Sequence, residues 1–246
     1  LIVVHVFGNA VLLDELVKLC KKRNIKIIED ASESLGTVYK SGTFAGKHTG
    51  TVGFAGCLSF NGNKVITAGG GGIILVNNKK IAEKAIYLSS QAKDDPIRYI
   101  HNNIGYNYRM TNVQAAIGTA QLESLRKILK AKKKIYKDYC KAINSIEGLV
   151  VSKVPPYSSN NHWLNVIRVN RKIYGKSVKK LMVELGLKSI ETRPVWYLNH
   201  LQKPYKKNQE FQITNAFNLV DTSLCVPSSS NLSKEDFERV VNELKN

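Results

Sequence analysis

The feature that most narrows the choice of fold is the alternation of two hydrophobic patterns over the first thirty-two residues. "LIVVHVF" (1–7) is a continuous apolar run of strand length. "NAVLLDELVKLCKKRN" (9–24) places Leu12, Leu13, Leu16 and Leu19 on one side of a helix, and "IKIIEDAS" (25–32) is again apolar and ends in acids. Strand, helix and strand joined by short connections predict a βαβ unit in a mostly parallel sheet. Further along, 37–50 reads as a loop rich in Gly, Thr and Lys. "TVGFAGCLSF" (51–60) and "GGIILV" (71–76) read as buried strands, and "KKIAEKAIYLSSQA" (79–92) as a helix.

An irregular stretch, "KDDPIRYIHNNIGYNYRM", precedes a helix starting near "TNVQAAIGTAQLESL" (111–125), which either continues or restarts through "RKILKAKKKIYKDYCK" (126–141). In that run Leu125, Ile128, Leu129, Ile135, Tyr139 and Ile143 recur at helical spacing, so the lysines between them are expected on a solvated face. The character of the chain changes near 145–160. Beyond it "HWLNVIRV" predicts a strand, "YGKSVKKLMVELGL" a helix, and Ser233 with Asp236 the capped start of a closing helix. The expected organisation is a larger α/β part over 1–129, then a connecting helix and a smaller α/β domain over 130–246.

The chain carries 37 basic against 19 acidic residues, a formal charge of +18. Such an excess suits anionic partners: nucleic acid, a membrane surface or phosphorylated metabolites. No apolar run is long enough to span a bilayer, and "LIVVHVF" lacks the basic leader and cleavage site of a signal peptide. Cys20, Cys57, Cys140 and Cys225 are scattered, with neither a C-x-x-C pair nor an attendant His cluster, so reduced thiols in a cytoplasmic protein are expected and no metal site.

In a parallel α/β sheet, ligands gather at the carboxyl ends of strands. Asp30 closes "IKIIED", Ser59 closes "TVGFAGCLSF", and Lys64 follows in a tight polar turn, just before Gly69–Gly72. Each has an ordinary alternative: a solvated strand-end acid, a turn serine, a loop lysine. An amine nucleophile, however, needs a sheltered setting that disfavours its charged form. The glycines permit unusual backbone angles or close approach of something bulky. They form neither a G-x-G-x-x-G fingerprint nor a Walker loop, since Lys64 precedes them.

The segment "IIEDASESLGTVYKSGTFAGKHTGTVGFAGCLSFNGNKVITAGGGGIILVNN" resembles the core of the DegT/DnrJ/StrS family of pyridoxal-phosphate sugar aminotransferases. "VVHVFGN" (3–9), "IGYNYRMTNVQAAIGTAQLESL" (104–125) and "RPVWYLNHLQ" (193–202) fall in the family's order. The resemblance implies the fold-type I aminotransferase architecture, homodimers with shared active sites, and transfer of an amino group, usually from glutamate, to a keto-sugar on a nucleotide. Details such as "HVFGN" and "SFNGNK" lean toward the branch serving legionaminic-acid-type or related bacterial surface sugars.

Carried over by position, the resemblance makes Lys64 the lysine that holds pyridoxal 5'-phosphate as a Schiff base and Asp30 the partner of its pyridine nitrogen. Ser59 matches a serine on the cofactor phosphate, with Asn61 beside it. Glu33 stands where the family often has Gln or His near the ring. Asn107 matches an asparagine reaching the phosphate of the neighbouring subunit's cofactor, and Arg109 lies close by as a substrate contact. Trp196, Tyr197 and His200 resemble a loop near the sugar-nucleotide site, although an aromatic packing cluster explains them nearly as well. His5 is expected to be structural. Some relatives dehydrate a sugar instead, with the lysine replaced, typically by His; Lys64 favours transamination.

One departure stands out. In the family, a segment ahead of this chain's first residue supplies a helix N-terminus for the phosphate, and residues 1–8 do not. The N-terminal part of the large domain is therefore expected to lie outside this sequence. No nucleic-acid or membrane partner is expected on this reading. The competing hypotheses are a basic nucleic-acid-binding or regulatory protein without cofactor, and a folded remnant lacking its site.

Overall fold

The structure, a computed structural model, describes residues 1–245. In chain order its main elements are β1 (Ile2–Val4), α1 (Asp14–Lys22), β2 (Ile28–Asp30), β3 (Val38–Tyr39), β4 (Ala55–Ser59), β5 (Gly72–Leu75), α2 (Lys79–Ser89) and α3 (Asn112–Glu123). There follow α4 (Leu125–Ile143), β6 (Leu149–Val151), β7 (Ser158–Ser159), β8 (Asn165–Val169), α5 (Arg171–Tyr174), α6 (Val178–Leu187), β9 (Arg193–Pro194), α7 (Thr214–Thr222), β10 (Ser223–Val226) and α8 (Lys234–Lys245). They form two compact units. One comprises Leu1–Leu129 with Val154–Trp163; the other comprises Lys130–Lys153 and the chain from Leu164 onward.

The first unit is built on a sheet of order β1-β2-β4-β5. The pairings β1–β2 and β2–β4 are parallel, and β5 closes one edge antiparallel to β4. The strands are shorter than the apolar runs that encode them, and hydrogen bonding explains why. After Val4 the chain turns at His5 into a single 3-10 turn, Val6–Gly8, with Phe7 at φ 53°. Glu33 Oε2 accepts the Phe7 N–H at 2.7 Å, which fixes that left-handed residue. The helix expected from residue 9 begins only at Asp14, because the Asn9 N–H goes to Val6 O and the Val11 N–H to His5 Nδ1, 3.0 Å away. Leu13, Cys20, Val3, Ala10, Ile27 and Tyr39 form the small core beneath.

Glu29 is the least conventional member of this core. It is fully buried in the middle of β2, and its carboxylate collects four donors. Oε2 accepts from His5 Nε2 (3.0 Å) and Gly50 N (2.8 Å), and Oε1 from Val52 N (2.7 Å) and Gly53 N (2.5 Å). Since His5 Nδ1 already accepts from Val11, the ring hydrogen sits on Nε2 and points at Glu29. The strand expected to start at residue 51 starts at Ala55 because Gly50, Val52 and Gly53 spend their N–H groups on this carboxylate and Thr51 donates its own to His48 O. The two backbones run so close that a Cβ on Gly56 would fall 2.0 Å from Gly50 O.

Residues 154–163 belong to the first unit, although hydropathy gave no sign of it. β7 pairs with β3 antiparallel, Tyr157 O accepts the Lys40 N–H, and the Tyr157 hydroxyl donates to Ala10 O at 2.8 Å. Thr111 and Gln114 form a capping box at the start of α3. α3 ends at Ser124, whose N–H bonds back three residues, and α4 restarts at once.

The second unit is an antiparallel sheet of order β6-β8-β10-β9. Leu149, Val151, Ile167, Val169, Leu224 and Val226 pack with Ile135, Tyr139 and Ile143 of α4, Leu181 and Leu185 of α6, and Val240, Val241 and Leu244 of α8. On α4, Lys127, Lys130, Lys133, Lys134, Lys137 and Lys141 are exposed, as the periodicity required. Lys132 is the correction. It lies one turn before Ile135 on the apolar stripe, is only 6% exposed, and donates to Ser228 O at 2.7 Å. Burial pushes its pKa down to about 8. Among the described residues no helix is long and apolar enough to cross a membrane, and no group of His, Cys, Asp and Glu could hold a metal ion.

Candidate active site

Asp30 and Ser59 end neighbouring parallel strands, and register relates them. Asp30 pairs with Cys57, so Ser59 lies two residues further along β4, roughly 6.6 Å at 3.3 Å per residue. The half-buried Asp30 carboxylate accepts the Ser32 N–H at 3.0 Å, and the Cys57 thiol points at it from 3.9 Å. Burial first, then the charge of Asp30, holds the Cys57 pKa above the ordinary thiol range. The carboxylate therefore keeps accepting capacity toward the end of the sheet.

Lys64 is presented by a turn clamped at both ends. Phe60 on one side and Val65 and Ile66 on the other are buried. Between them the Asn61 N–H donates to Ser59 Oγ (3.3 Å), and the Lys64 N–H donates to Asn61 O (3.0 Å). Phe60 receives the returning chain: its N–H donates to Gly71 O, and its carbonyl accepts from Ala68 N. Gly69 and Gly71 have φ of +77° and +85°, and a Cβ on Gly71 would press on Met110 at 2.6 Å. The unusual angles and the close approach foreseen for the glycines are both present. The Lys64 side chain is half-buried, with Nζ 4.4 Å from the centroid of the Trp163 ring.

The other candidates separate into three groups. Glu33 has one carboxylate oxygen committed to Phe7, and its carbonyl accepts from Asn161 Nδ2 at 2.9 Å. His5 is buried within the Glu29 network, a structural position. Asn107 and Arg109 are exposed in the first unit; Asn107 bridges to Ser90 and lies between Tyr106 and Tyr108, whose rings stack at 5.2 Å. Trp196, Tyr197 and His200 lie in the second unit. The two larger rings are exposed, while His200 is tucked edge-on against Phe217 at 5.3 Å with Glu210 3.5 Å from its Nε2.

Sequence reasoning missed Trp163, Asn161 and Glu29. The visible signal for the first two was the polar run "SSNNHW", whose Asn residues favour tight side-chain-to-backbone turns.

A carboxylate, a hydroxyl and an amine, set along one sheet edge with open space beside Gly62 and Gly69, match the three polar ends of pyridoxal 5'-phosphate: ring nitrogen, phosphate and aldehyde. The residues present fit that group. The architecture is that of the fold-type I pyridoxal-phosphate enzymes. The aminotransferase TlmJ from Streptoalloteichus hindustanus superposes with a TM-score of 0.88 at 22% identity, over 99% of this chain and 64% of that one. DesI, solved in the presence of its TDP-sugar product, gives 0.89 at 21% identity, over 99% and 61%.

The chain belongs to the DegT/DnrJ/EryC1/StrS aminotransferase family, whose profile matches residues 1–245. Members of this family depend on pyridoxal phosphate. Among curated proteins, EpsN of Bacillus subtilis (strain 168), a candidate pyridoxal phosphate-dependent aminotransferase, is 36% identical over 99% of this chain and 62% of its own length. The GDP-perosamine synthase of Escherichia coli O157:H7 is 36% identical over 94% and 61%, and that of Vibrio cholerae 33% over 99% and 65%. The chain thus spans about three-fifths of the length of the curated relatives it matches.

Proposed function

We propose that this chain forms part of a pyridoxal-phosphate enzyme that transfers an amino group, with glutamate as donor, to a keto-sugar carried on a nucleotide, supplying an amino sugar for bacterial surface glycans. The observation that carries this reading is the placement of Asp30 and Ser59 on adjacent strand ends of one sheet, with Lys64 in the turn that follows Ser59. Relatives named for making GDP-perosamine and for UDP-amino-sugar transamination support the substrate class.

When bound, the cofactor supplies an electron-accepting ring conjugated to the amine being transferred. Asp30 contributes the charge that keeps a proton on the ring nitrogen. Ser59 Oγ and the backbone of the Asn61 turn receive the phosphate. Lys64 Nζ would hold the cofactor at its aldehyde carbon. Its free amine would take the proton from the donor's α-carbon and later give a proton back, as base and then acid. Its half-buried position limits the water that competes for that proton.

A homodimer and a cytoplasmic location complete the proposal. Pairing with a second copy accords with the apolar side chains the first unit leaves exposed, among them Ile97 (85%), Ile104 (83%), Tyr108 (74%) and Val113 (71%), in the same region as Asn107 and Arg109. Four free cysteines accord with a reducing compartment.

The test is chemical. Full-length protein incubated with pyridoxal 5'-phosphate, reduced with borohydride and digested should carry the label on the Lys64 peptide, and Lys64→Ala should lower amino transfer at least ~10³-fold. Label on another lysine, or near-normal transfer by the Ala variant, would refute the assignment.

A further inference from the structure

On the reading of Lys64 as the reacting amine, we infer that Trp163 is its positioning residue, holding the amino group against an indole face at the end of the sheet before the cofactor arrives. The Trp163 side chain is only 3% exposed. Its Nε1–H donates at 2.6 Å to Asn63 O, the residue immediately before Lys64. The indole therefore grips the turn that carries the lysine and also receives the lysine's tip, with Nζ 4.4 Å from the ring centroid, inside cation–π range.

Trp163 is itself tied to the segment that follows Asp30. Its backbone N–H donates to Asn161 Oδ1 at 3.0 Å. The Asn161 amide donates to Glu33 O and Leu35 O (2.9 and 3.0 Å), and the Asn161 N–H to Thr37 Oγ1 at 3.2 Å. Phe7, held by Glu33, lies with its ring 6.2 Å from the indole. The hydrogen bonds form an unbroken path from the loop after β2, which ends in Asp30, to the turn after β4, which presents Lys64. Carboxylate and amine are set with respect to each other through Asn161 and Trp163 as well as through the sheet.

The choice of an aromatic face has a chemical consequence. Among the described residues no carboxylate lies within ion-pair distance of Lys64. An ion pair would hold the ammonium by directed hydrogen bonds and would have to break before the nitrogen bonded carbon. The ring quadrupole restricts the ammonium to a small region without a directed hydrogen bond, so once the nitrogen has given a proton to water only that weak contact has to break before it bonds carbon.

The experiment uses full-length protein freed of cofactor. In the wild type, lysine-selective NMR should find the Lys64 Cε protons shifted upfield by the indole ring current. An ordinary lysine position would overturn the inference without any variant. Trp163→Leu should lose that shift and slow borohydride-trapped capture of pyridoxal 5'-phosphate at Lys64 by at least about 10-fold. Trp163→Phe, which keeps a ring but not the donor, should fall between the two. Affinity for 4'-deoxypyridoxine 5'-phosphate, which has the ring and phosphate but no aldehyde, should stay within about twofold in both variants, because it makes no bond to the lysine.

Unchanged capture in the Leu variant overturns the positioning role and leaves the amine assignment standing. Parallel loss of capture and of analogue binding overturns it in favour of a scaffold role. Trapping at a lysine other than 64 in the wild type removes both this inference and the function on which it rests.

Discussion

Replacing Glu29 is the sharpest test of how this sheet is held together. Glu29→Ala removes the fully buried acceptor of four hydrogen bonds while leaving the four donors, His5 Nε2 and the Gly50 N–H in buried positions and the Val52 and Gly53 N–H groups in partly buried ones. A buried polar group left without its partner costs about 1–3 kcal/mol. Some donors will recover water in the space the side chain vacates, so the low end of that range for each donor gives a loss of about 4 kcal/mol. That is a large part of the ~5–15 kcal/mol holding an ordinary domain. Glu29→Gln keeps one acceptor oxygen but turns an NH₂ toward two donors, and should cost about 2 kcal/mol.

The assay is urea unfolding followed by Trp163 emission in a Trp196→Phe background, which reports on the first unit. At an m of about 2 kcal/mol/M, the Ala variant's midpoint should fall by about 2 M. Acid supplies an independent check. Burial pushes the Glu29 carboxyl up, but the His5 hydrogen bond and the N–H groups of Gly53, Gly50 and Val52 outweigh it and hold its pKa below the ordinary 4.5. A depressed carboxylate contributes stability that is fully present above its unfolded pKa and disappears as pH falls through the folded one. Wild type should therefore lose stability below pH 4.5 more steeply than the Gln variant. A loss under about 1 kcal/mol for Glu29→Ala, with parallel acid profiles, would refute the network's importance.

Ser59→Ala should weaken retention of pyridoxal 5'-phosphate about tenfold, with maximal transfer little changed at saturating cofactor, measured by equilibrium dialysis. Lys132, whose pKa falls from 10.5 to about 8 on folding, binds fewer protons folded than unfolded between those values, so stability should rise with pH across that window. The difference is about 3 kcal/mol at 1.36 kcal/mol per unit, and Lys132→Met should abolish the rise in pH-dependent denaturation. Gly56→Ala should leave the first unit unfolded or grossly destabilised by circular dichroism, because its methyl would fall 2.0 Å from Gly50 O.

The hydrophobic periods made the strands of the first unit legible in outline, but not their order in the sheet. Apolar runs ending in Asp30 and Ser59 are encoded by the same alternation that predicts them, and a lysine wedged between a strand and four glycines is conspicuous in a one-dimensional reading. Strand lengths were not legible, because Ala55 rather than Thr51 opens β4 only if Glu29 has already claimed the N–H groups of Gly50, Val52 and Gly53. Lys132 defeats any rule based on residue type: its ammonium is accommodated by the carbonyl of Ser228, ninety-six residues away in sequence. Trp163 was unreadable for a similar reason. Its significance is that it meets residues 63 and 64 across about a hundred positions of chain, and no local period encodes such a meeting.

The return of residues 154–163 to the first unit bears on how such a molecule can be dissected or recombined. The backbone changes units three times, so no single cut separates the two. Truncation after residue 129 would keep Lys64 but discard the indole beneath it and the partner strand of Tyr39. Exchanging the C-terminal module with a relative would preserve the first unit only if the ten-residue excursion stayed behind, spliced at both ends.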